Sequence, residues 1–168
     1  MGLKAIARLI QTMLYGRRFF PYYVYNILGG IEEVCTGAVY SVDPVGSYER
    51  DAGRAAGAAQ SLIQPFLDNQ IYFKNQTPAP GAEPFVPGRL PLSTVLGLVI
   101  DSFTSATERH IEVGDGLEMY LVMKSGRGSE DLTGDGDLPK GLKIEELESM
   151  GEGRGEKTFL ISMPLKRD

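Results

Sequence analysis

The sequence predicts an α+β protein, because helical and strand-like segments follow one another in groups rather than in strict alternation. Apolar residues recur at helical spacing over residues 3–15 and again over residues 92–103. Strand-like segments, the first of them rich in aromatic residues, lie at 22–29, 37–41, 117–123 and 157–162. With a further helix at 54–63, the predicted order is helix, strands, helix, helix, strands.

The first helix is predicted over residues 3–15 and is amphipathic. Its apolar stripe consists of Ile6, Leu9, Ile10, Met13 and Leu14. Its solvent side carries Lys4, Arg8 and Gln11. Gly16 ends the helix, and Pro21 blocks any continuation because proline lacks the N–H that a helix interior needs.

Two strands and a turn are predicted next. The aromatic run at residues 22–25 has the composition of a strand, and this first strand is predicted over 22–29. The second strand, at 37–41, ends at the turn pair Asp43-Pro44. A short continuation of the strand is expected at 45–48.

The second helix, at 54–63, is rich in alanine and glycine, which indicates close packing against a neighbouring element. Pro65 is expected to end or kink it. A proline-rich surface loop is predicted at 76–91. The third helix begins at Leu92, and Ser93 is its candidate N-terminal cap.

A Gly- and acid-rich insert occupies about residues 125–156, between the last two predicted strands. Apart from Leu142, Ile144 and Leu147 it lacks apolar periodicity, so it is expected to be mostly mobile. Within it, residues 131–137 resemble the first half of a calcium-binding loop. The twelfth position of such a loop is Leu142 rather than a bidentate glutamate, and we therefore expect no metal site.

Composition and charge limit the functions and partners that the chain could have. The net charge of −5 offers no electrostatic case for binding nucleic acid. The single cysteine, Cys35, cannot form an internal disulfide and suits a reducing compartment. No apolar run approaches the length that spans a bilayer. We expect a cytoplasmic and nuclear protein of one domain, residues 1–168, with no membrane or nucleic-acid partner and no cofactor.

Several long and unusual sequence motifs follow one another along the chain. They are GRRFFPYYVYN at 16–26, GAVYSVDPVGSYER at 37–50, QPFLDNQ at 64–70, DSFTSATERH at 101–110, VGDG at 113–116 and LKRD at 165–168. Together they resemble the proteasome β-subunit family, and within it the non-catalytic subunits at the sixth position of the β ring. The resemblance covers nearly the whole chain except roughly residues 78–90 and 125–156.

The resemblance implies a four-layer α-β-β-α sandwich of the N-terminal nucleophile hydrolase type. In the family, strands and a further helix precede the position of Met1, so the chain is expected to be an N-terminally truncated subunit that holds only the C-terminal part of the sandwich. The implied role is structural, in the 20S core that degrades ubiquitin-tagged and unfolded proteins. The implied partners are other proteasome β subunits and α-ring subunits, in a hetero-oligomer.

The resemblance also implies that the subunit is non-catalytic. Active members hydrolyse peptide bonds with an N-terminal threonine and support it with the pattern Arg-Asp-x-x-Ser-Gly. The matching stretch here runs from Arg109 to Gly114, and His110 and Val113 stand where the family has aspartate and serine. Valine has no atom that could hold the threonine amine. The alternatives are an active threonine-type endopeptidase and a stand-alone binding module from a truncated paralogue.

Two further groups of residues are candidate sites. A hydrolytic triad of His110 with Ser102 or Ser105 is disfavoured because all three belong to one helix, and a helix-end histidine is the simpler interpretation. In the turn at 43–50, Tyr48 and Arg50 are of types enriched at interfaces, so we predict that they contact neighbouring subunits. A self-contained turn is the alternative. Ser47 could be a remnant of the Gly-Ser segment of active relatives.

Overall fold

The computed structural model describes residues 1–33, 36–124, 142–147 and 156–166. The chain divides into two compact units, Met1–Gly88 and Arg89–Asp168. The first unit contains helix α1 (Leu3–Tyr15), strands β1 (Asn26–Ile31), β2 (Gly37–Val42) and β3 (Tyr48–Asp51), and helix α2 (Gln60–Gln70). The second contains helix α3 (Leu92–Thr107) and strands β4 (Gly116–Lys124), β5 (Lys143–Leu147) and β6 (Glu156–Pro164).

Helix α1 packs on the three-stranded antiparallel sheet β1-β2-β3. Leu3 and Ala7 of the helix form a buried cluster with Ala38 and Tyr40 of β2. Ala38 and Tyr40 are two apart, so the pleat directs both to one face of the strand. Gly30 of β1 also lies close to the helix, since a Cβ there would be 3.0 Å from a methyl carbon of Leu3.

The predicted bounds of α1 are confirmed, but its predicted faces are partly wrong. Leu14 is buried, as expected. Leu9 and Met13 are 47% and 62% exposed, whereas Gln11 is partly buried. The helix turns Leu3 and Ala7 to the sheet, where both belong to the buried cluster with the β2 residues. The larger apolar residues of the stripe are left towards solvent.

The first strand begins four residues later than predicted. Residues 22–25 contain no strand, and Tyr23 has a φ of 54°, which no strand residue adopts. The reason is the register of β1 with β2. Asn26 pairs with Val42, the last residue of β2, so no partner strand continues alongside residues 22–25. Aromatic composition alone cannot make a strand without a neighbour.

The turn at Asp43-Pro44 is confirmed, and it displaces the third strand to Tyr48–Asp51 from the predicted 45–48. The Asp43 carboxylate accepts hydrogen bonds from the backbone N–H groups of Val45 and Ser47, at 3.0 and 2.8 Å. Gly46 completes the turn with a φ of 89°. These contacts occupy residues 43–47, so pairing with β2 resumes at Tyr48.

The second helix was predicted at 54–63 and instead spans Gln60–Gln70. The chain before it is not helical: Gly57 has a φ of 108°, and Arg54 pairs with Asp51 at the end of β3. Pro65 lies inside the helix rather than ending it. Proline removes one helical hydrogen bond, whose acceptor would be the Ser61 carbonyl. Both residues are exposed, so water can solvate that carbonyl.

In the second unit, α3 packs on the antiparallel sheet β4-β6-β5. Leu96 and Ile100 of the helix meet Leu117, Met119 and Ile161 in a buried cluster. The strands at 117–123 and 157–162 are confirmed with slightly longer bounds, and they pair from Gly116–Pro164 to Lys124–Glu156. Ser93 does not cap α3. Pro91 precedes the helix and no side-chain cap is made.

The insert contains a strand, which the expectation for 125–156 did not include. Residues 143–147 form β5, which pairs with β6 along Ile144–Ile161. Leu142 and Ile144, two residues apart, pack against the core of the sheet, and this spacing is that of a strand with one buried face. Residues 125–141 and 148–155, including the calcium-loop resemblance at 131–137, lie outside the described residues, as does Cys35.

The α+β class is confirmed: the described residues form three helices and two antiparallel sheets. Each unit has a helix packed on its own sheet. Residues 76–91 contain no helix or strand before α3. Among the described residues, no helix combines the length and the apolar character needed to cross a bilayer.

Candidate functional site: turn and surface residues

His110 and Val113 lie in the connection between α3 and β4. The N–H of His110 donates to the Ala106 carbonyl over 2.9 Å, and the N–H of Val113 donates to the His110 carbonyl over 3.2 Å. The imidazole Nδ1 of His110 accepts a hydrogen bond from the N–H of Glu112, also at 3.2 Å. A ring nitrogen that accepts is unprotonated, so His110 does not donate to the helix-end carbonyls through Nδ1. Val113 supplies no polar side-chain atom to this connection.

The helix serines do not form a triad with His110 in the observed bonding. The Ser102 hydroxyl is buried and donates to the Val99 carbonyl over 2.8 Å. That bond satisfies the hydroxyl within its own helix, which is the common arrangement for serine in a helix interior. Among the described residues, no group of three or more His, Cys, Asp or Glu side chains is arranged to hold a metal ion.

Tyr48 and Arg50, the predicted interface residues, both make contacts within the chain. Tyr48 is half-buried and meets the Tyr40 ring edge to face, with centroids 6.0 Å apart. Arg50 is exposed, and its Nε lies 3.6 Å from the Glu32 carboxylate. Its Nη2 also donates to the Gly37 carbonyl. The guanidinium is therefore placed on the sheet surface by its own strand neighbours.

Glu32 is the centre of a charged cluster on this side of the first sheet. The Tyr40 hydroxyl donates to the Glu32 carboxylate over 2.5 Å, and Lys4 lies 3.9 Å from the same oxygen. The hydrogen bond from Tyr40, with help from the Lys4 and Arg50 charges, lowers the pKa of Glu32. The carboxylate acceptor in turn raises the pKa of Tyr40. Helix α1, β2 and β3 thus meet at one ionised carboxylate.

Asp51 organises a second cluster at the end of β3. Its carboxylate accepts from the Ser41 hydroxyl at 2.5 Å, from both Nε and Nη2 of Arg54, and from the Tyr72 hydroxyl at 3.1 Å. Burial acts to raise the pKa of Asp51, but the hydrogen bonds from Arg54 and Ser41 outweigh it, so the pKa is lowered. The Tyr72 oxygen also accepts from the N–H of Ala52. The cluster fixes the chain between β3 and α2.

A cleft of about 250 Å³ opens beside the Asp51 cluster. Its walls come from the start of β1, the end of β2, the following turn and the segment that leads into α2. The lining is an even mixture of polar and apolar groups, to which Ser41, Glu49 and Arg54 contribute. Arg54 is already paired with Asp51, so its charge is satisfied within the chain.

The most exposed aromatic residues of the chain follow α1. Phe19 is 92% exposed and Tyr23 is 80% exposed, and Phe20, Tyr22 and Tyr25 are also exposed. The strand predicted at 22–29 includes part of this segment, and no exposed aromatic surface was predicted there. A signal was present: the run at 22–25 lacks the apolar–polar alternation of a half-buried strand.

Comparison with known proteins identifies the family. The Proteasome subunit family matches residues 1–82. Proteasome subunit beta type-6 of Saccharomyces cerevisiae is 58% identical over 133 residues, which are 75% of this chain and 53% of that protein. Proteasome subunit beta type-1-B of Carassius auratus is 51% identical over 124 residues, or 73% of this chain and 49% of that protein.

A plant relative agrees with these two. Proteasome subunit beta type-1 of Oryza sativa is 43% identical over 132 residues, which are 77% of this chain and 57% of that protein. The chain therefore spans about half the length of the curated relatives that it matches. With a family match over its first 82 residues and relatives this similar across about three-quarters of its length, the chain belongs to the proteasome β-subunit family.

Proposed function

We propose that this chain is a structural, non-catalytic subunit of the β ring of the 20S proteasome core. Its role is to help to enclose the chamber in which ubiquitin-tagged and unfolded proteins are degraded. The proposal is supported first by its relatives, which are named as proteasome β subunits of the beta type-1 and beta type-6 kinds. Its proposed partners are other β subunits and the α-ring subunits, in the cytoplasm and the nucleus.

The residues between α3 and β4 support the non-catalytic part of the proposal. Where active family members have a serine that helps to hold the nucleophile, the chain has Val113, whose side chain can neither donate nor accept a hydrogen bond. Where they have an aspartate, the chain has His110, whose Nδ1 is occupied by the Glu112 N–H. This pair of replacements is the observation on which the proposal of inactivity rests.

A peptidase assay tests the inactivity. The purified chain is incubated with fluorogenic peptides of basic, acidic and apolar specificity, and we expect no hydrolysis above the buffer rate. A covalent inhibitor of N-terminal threonine peptidases serves as the control. Turnover that this inhibitor blocks would replace the proposal with an active threonine-type endopeptidase.

Co-purification tests the structural role. An affinity-tagged copy of the chain is expressed in its native cell, and proteins retained under native conditions are identified. We expect other proteasome β subunits and α subunits in stoichiometric amounts. Migration of the tagged chain apart from all of them would favour a stand-alone binding module instead.

A further inference from the structure

A surface at the end of α1 combines exposed aromatic side chains with two arginines. We call it the basic-aromatic surface, and it consists of Tyr15, Arg17, Arg18, Phe19, Phe20 and Tyr22. Each of these residues is exposed. Soluble proteins rarely leave so many large apolar side chains together in water, and such patches usually mark a site of interaction.

The backbone holds this surface in a defined conformation. After α1 the chain continues in tight turns, with the N–H of Arg17 bonded to the Leu14 carbonyl and the N–H of Phe20 bonded to the Arg17 carbonyl at 2.9 Å. Tyr23 adopts a φ of 54°, an uncommon conformation for a residue other than glycine. The rings are therefore presented to solvent by a folded segment, which lowers the conformational entropy that binding would cost.

The arginines lie against the rings rather than against carboxylates. The guanidinium of Arg17 lies 5.4 Å from the centre of the Tyr22 ring, and that of Arg18 lies 5.5 Å from the centre of the Phe19 ring. Among the described residues, no ion pair is formed by either arginine at 4.0 Å or less. Stacking on a ring leaves the edge of a guanidinium, with its N–H donors, available to a partner.

The distribution of charged residues along the chain indicates which kind of partner would fit this surface. Residues 1–31 carry four of the 17 Lys and Arg and none of the 22 Asp and Glu. The surface is thus a locally basic region of an otherwise acidic chain, and an acidic counterpart would complement it. Arginine, tyrosine and phenylalanine are also the residue types enriched in the centres of protein interfaces. A membrane is less well matched, because rings and charges share one surface here instead of occupying opposite faces of a helix.

We propose that the basic-aromatic surface docks on an acidic surface of a neighbouring proteasome subunit, with Arg17 and Arg18 meeting its carboxylates and Phe19 and Phe20 buried beside them. The inference rests on the proposed function, since that function supplies the neighbouring subunit. It assigns the contact to the end of α1, on a segment separate from Tyr48 and Arg50.

Site-specific cross-linking tests the partner directly. A photo-reactive phenylalanine analogue replaces Phe20 in the tagged full chain, the cells are irradiated, and the cross-linked peptide is identified by mass spectrometry. We expect a segment of another proteasome subunit that contains several Asp or Glu residues. A cross-link to this chain itself, to a second copy of it, or to a segment without acidic residues would overturn the proposal.

Charge reversal tests the role of the arginines. In the double variant Arg17→Glu/Arg18→Glu we expect at least about tenfold less recovery of proteasome subunits with the tagged chain. The variant Arg17→Lys/Arg18→Lys keeps the charge and should recover most of the association. Two matched controls, Arg89→Glu and Ile111→Ser, change an exposed arginine and a 99% exposed apolar residue elsewhere, and should behave as the unsubstituted chain.

The outcomes separate the two proposals. If the unsubstituted chain retains proteasome subunits and the glutamate variant retains them equally well, the docking surface is wrong while the proposed function stands. If the unsubstituted chain retains none, both fail. Sedimentation with phosphatidylserine vesicles that the glutamate variant abolishes, without any change in subunit recovery, would assign the surface to a membrane and overturn the inference.

Discussion

Gly46 lies in the turn between β2 and β3 with a φ of 89°, and the backbone of α1 passes directly over it. A Cβ at this position would lie 2.6 Å from the Gln11 carbonyl oxygen, which is closer than real Cβ contacts. Close by, Asp51 joins three side chains from β2, the β3–α2 connection and the segment after α2. Single residues of this kind decide how the first unit packs.

Gly46→Ala is expected to lower the free energy of unfolding by at least about 2 kcal/mol, because it adds a backbone clash to an unfavourable φ. Gly81→Ala is the matched control. Gly81 has a φ of 86°, but a Cβ added there would meet nothing within 4 Å, so its cost should be about 1 kcal/mol from the φ alone. Urea denaturation of the purified chain measures both, and equal costs would show that the α1 contact is unimportant.

Asp51→Asn is expected to destabilise the protein at neutral pH by on the order of 1 kcal/mol, through lost hydrogen bonds to a charged acceptor. The folded state lowers the pKa of Asp51 below the ordinary value of 3.8. The unfolded chain therefore binds the proton more readily, and the stability that this carboxylate contributes is present above pH 3.8 and lost as the pH falls below it.

The measurement is the urea midpoint of the wild type and the variant from about pH 7 to about pH 3. The difference between the two should shrink at the acid end. Asp101→Asn, at an exposed carboxylate of α3, is the control and should show a small difference at every pH. A constant Asp51→Asn difference across the range would contradict the assigned bonds.

At the scale of elements, β5 is the least expected feature of the protein. It lies within a Gly- and acid-rich stretch and pairs with one edge of β6, while β4 pairs with the other edge. Ile144 lies across from Ile161, which is fully buried, and packs against the same core cluster as α3. Backbone pairing and two apolar side chains are enough to hold a five-residue strand in a sequence of low hydrophobicity.

Ile144→Ala is expected to destabilise the second unit by about 1–3 kcal/mol, because the residue is partly rather than fully buried. Glu145→Ala is the control, since Glu145 belongs to the same strand and is exposed. Hydrogen exchange of the β6 amides should quicken in the first variant and not in the second. Unchanged exchange in Ile144→Ala would mean that β5 adds little to the sheet.

At the scale of the whole molecule, the predicted subunit contact of Tyr48 and Arg50 stays a prediction. Both residues serve the chain itself, Tyr48 by packing on Tyr40 and Arg50 by pairing with Glu32. A substitution there can therefore act through the fold or through an interface. The two effects are separated by a control that disturbs the Glu32 cluster and leaves Tyr48 and Arg50 in place.

Arg50→Ala is expected to lower incorporation of the chain into the proteasome core several-fold, because an interface arginine loses its partner groups. Lys4→Ala removes the other cation beside Glu32, 3.9 Å from the carboxylate, and leaves Arg50 in place. Each substitution should cost little stability, since exposed ion pairs contribute about 0–1 kcal/mol. Native gels of tagged subunits give the assembled fraction, and equal incorporation of both variants would remove Arg50 from the interface.

The sequence by itself determined the family, the α+β class, the bounds of α1, the turn at Asp43-Pro44 and the pairing of β4 with β6. These depend on local features of the sequence: helical spacing, a proline and an aspartate in a turn, and long motifs that resemble those of the family. The proteasome family match and the β-subunit relatives agree with the resemblance that is based on those motifs.

Tertiary structure decided the rest, because it depends on which neighbour is present. Residues 22–25 have strand composition but no strand beside them, so they become an exposed surface. Pro65 is tolerated in α2 because it lies on the exposed side, and Ile144 forms a strand because β6 offers an open edge. Leu9 and Met13 share a stripe with the buried residues of α1, and only the close packing of Leu3 and Ala7 on the sheet leaves them in solvent.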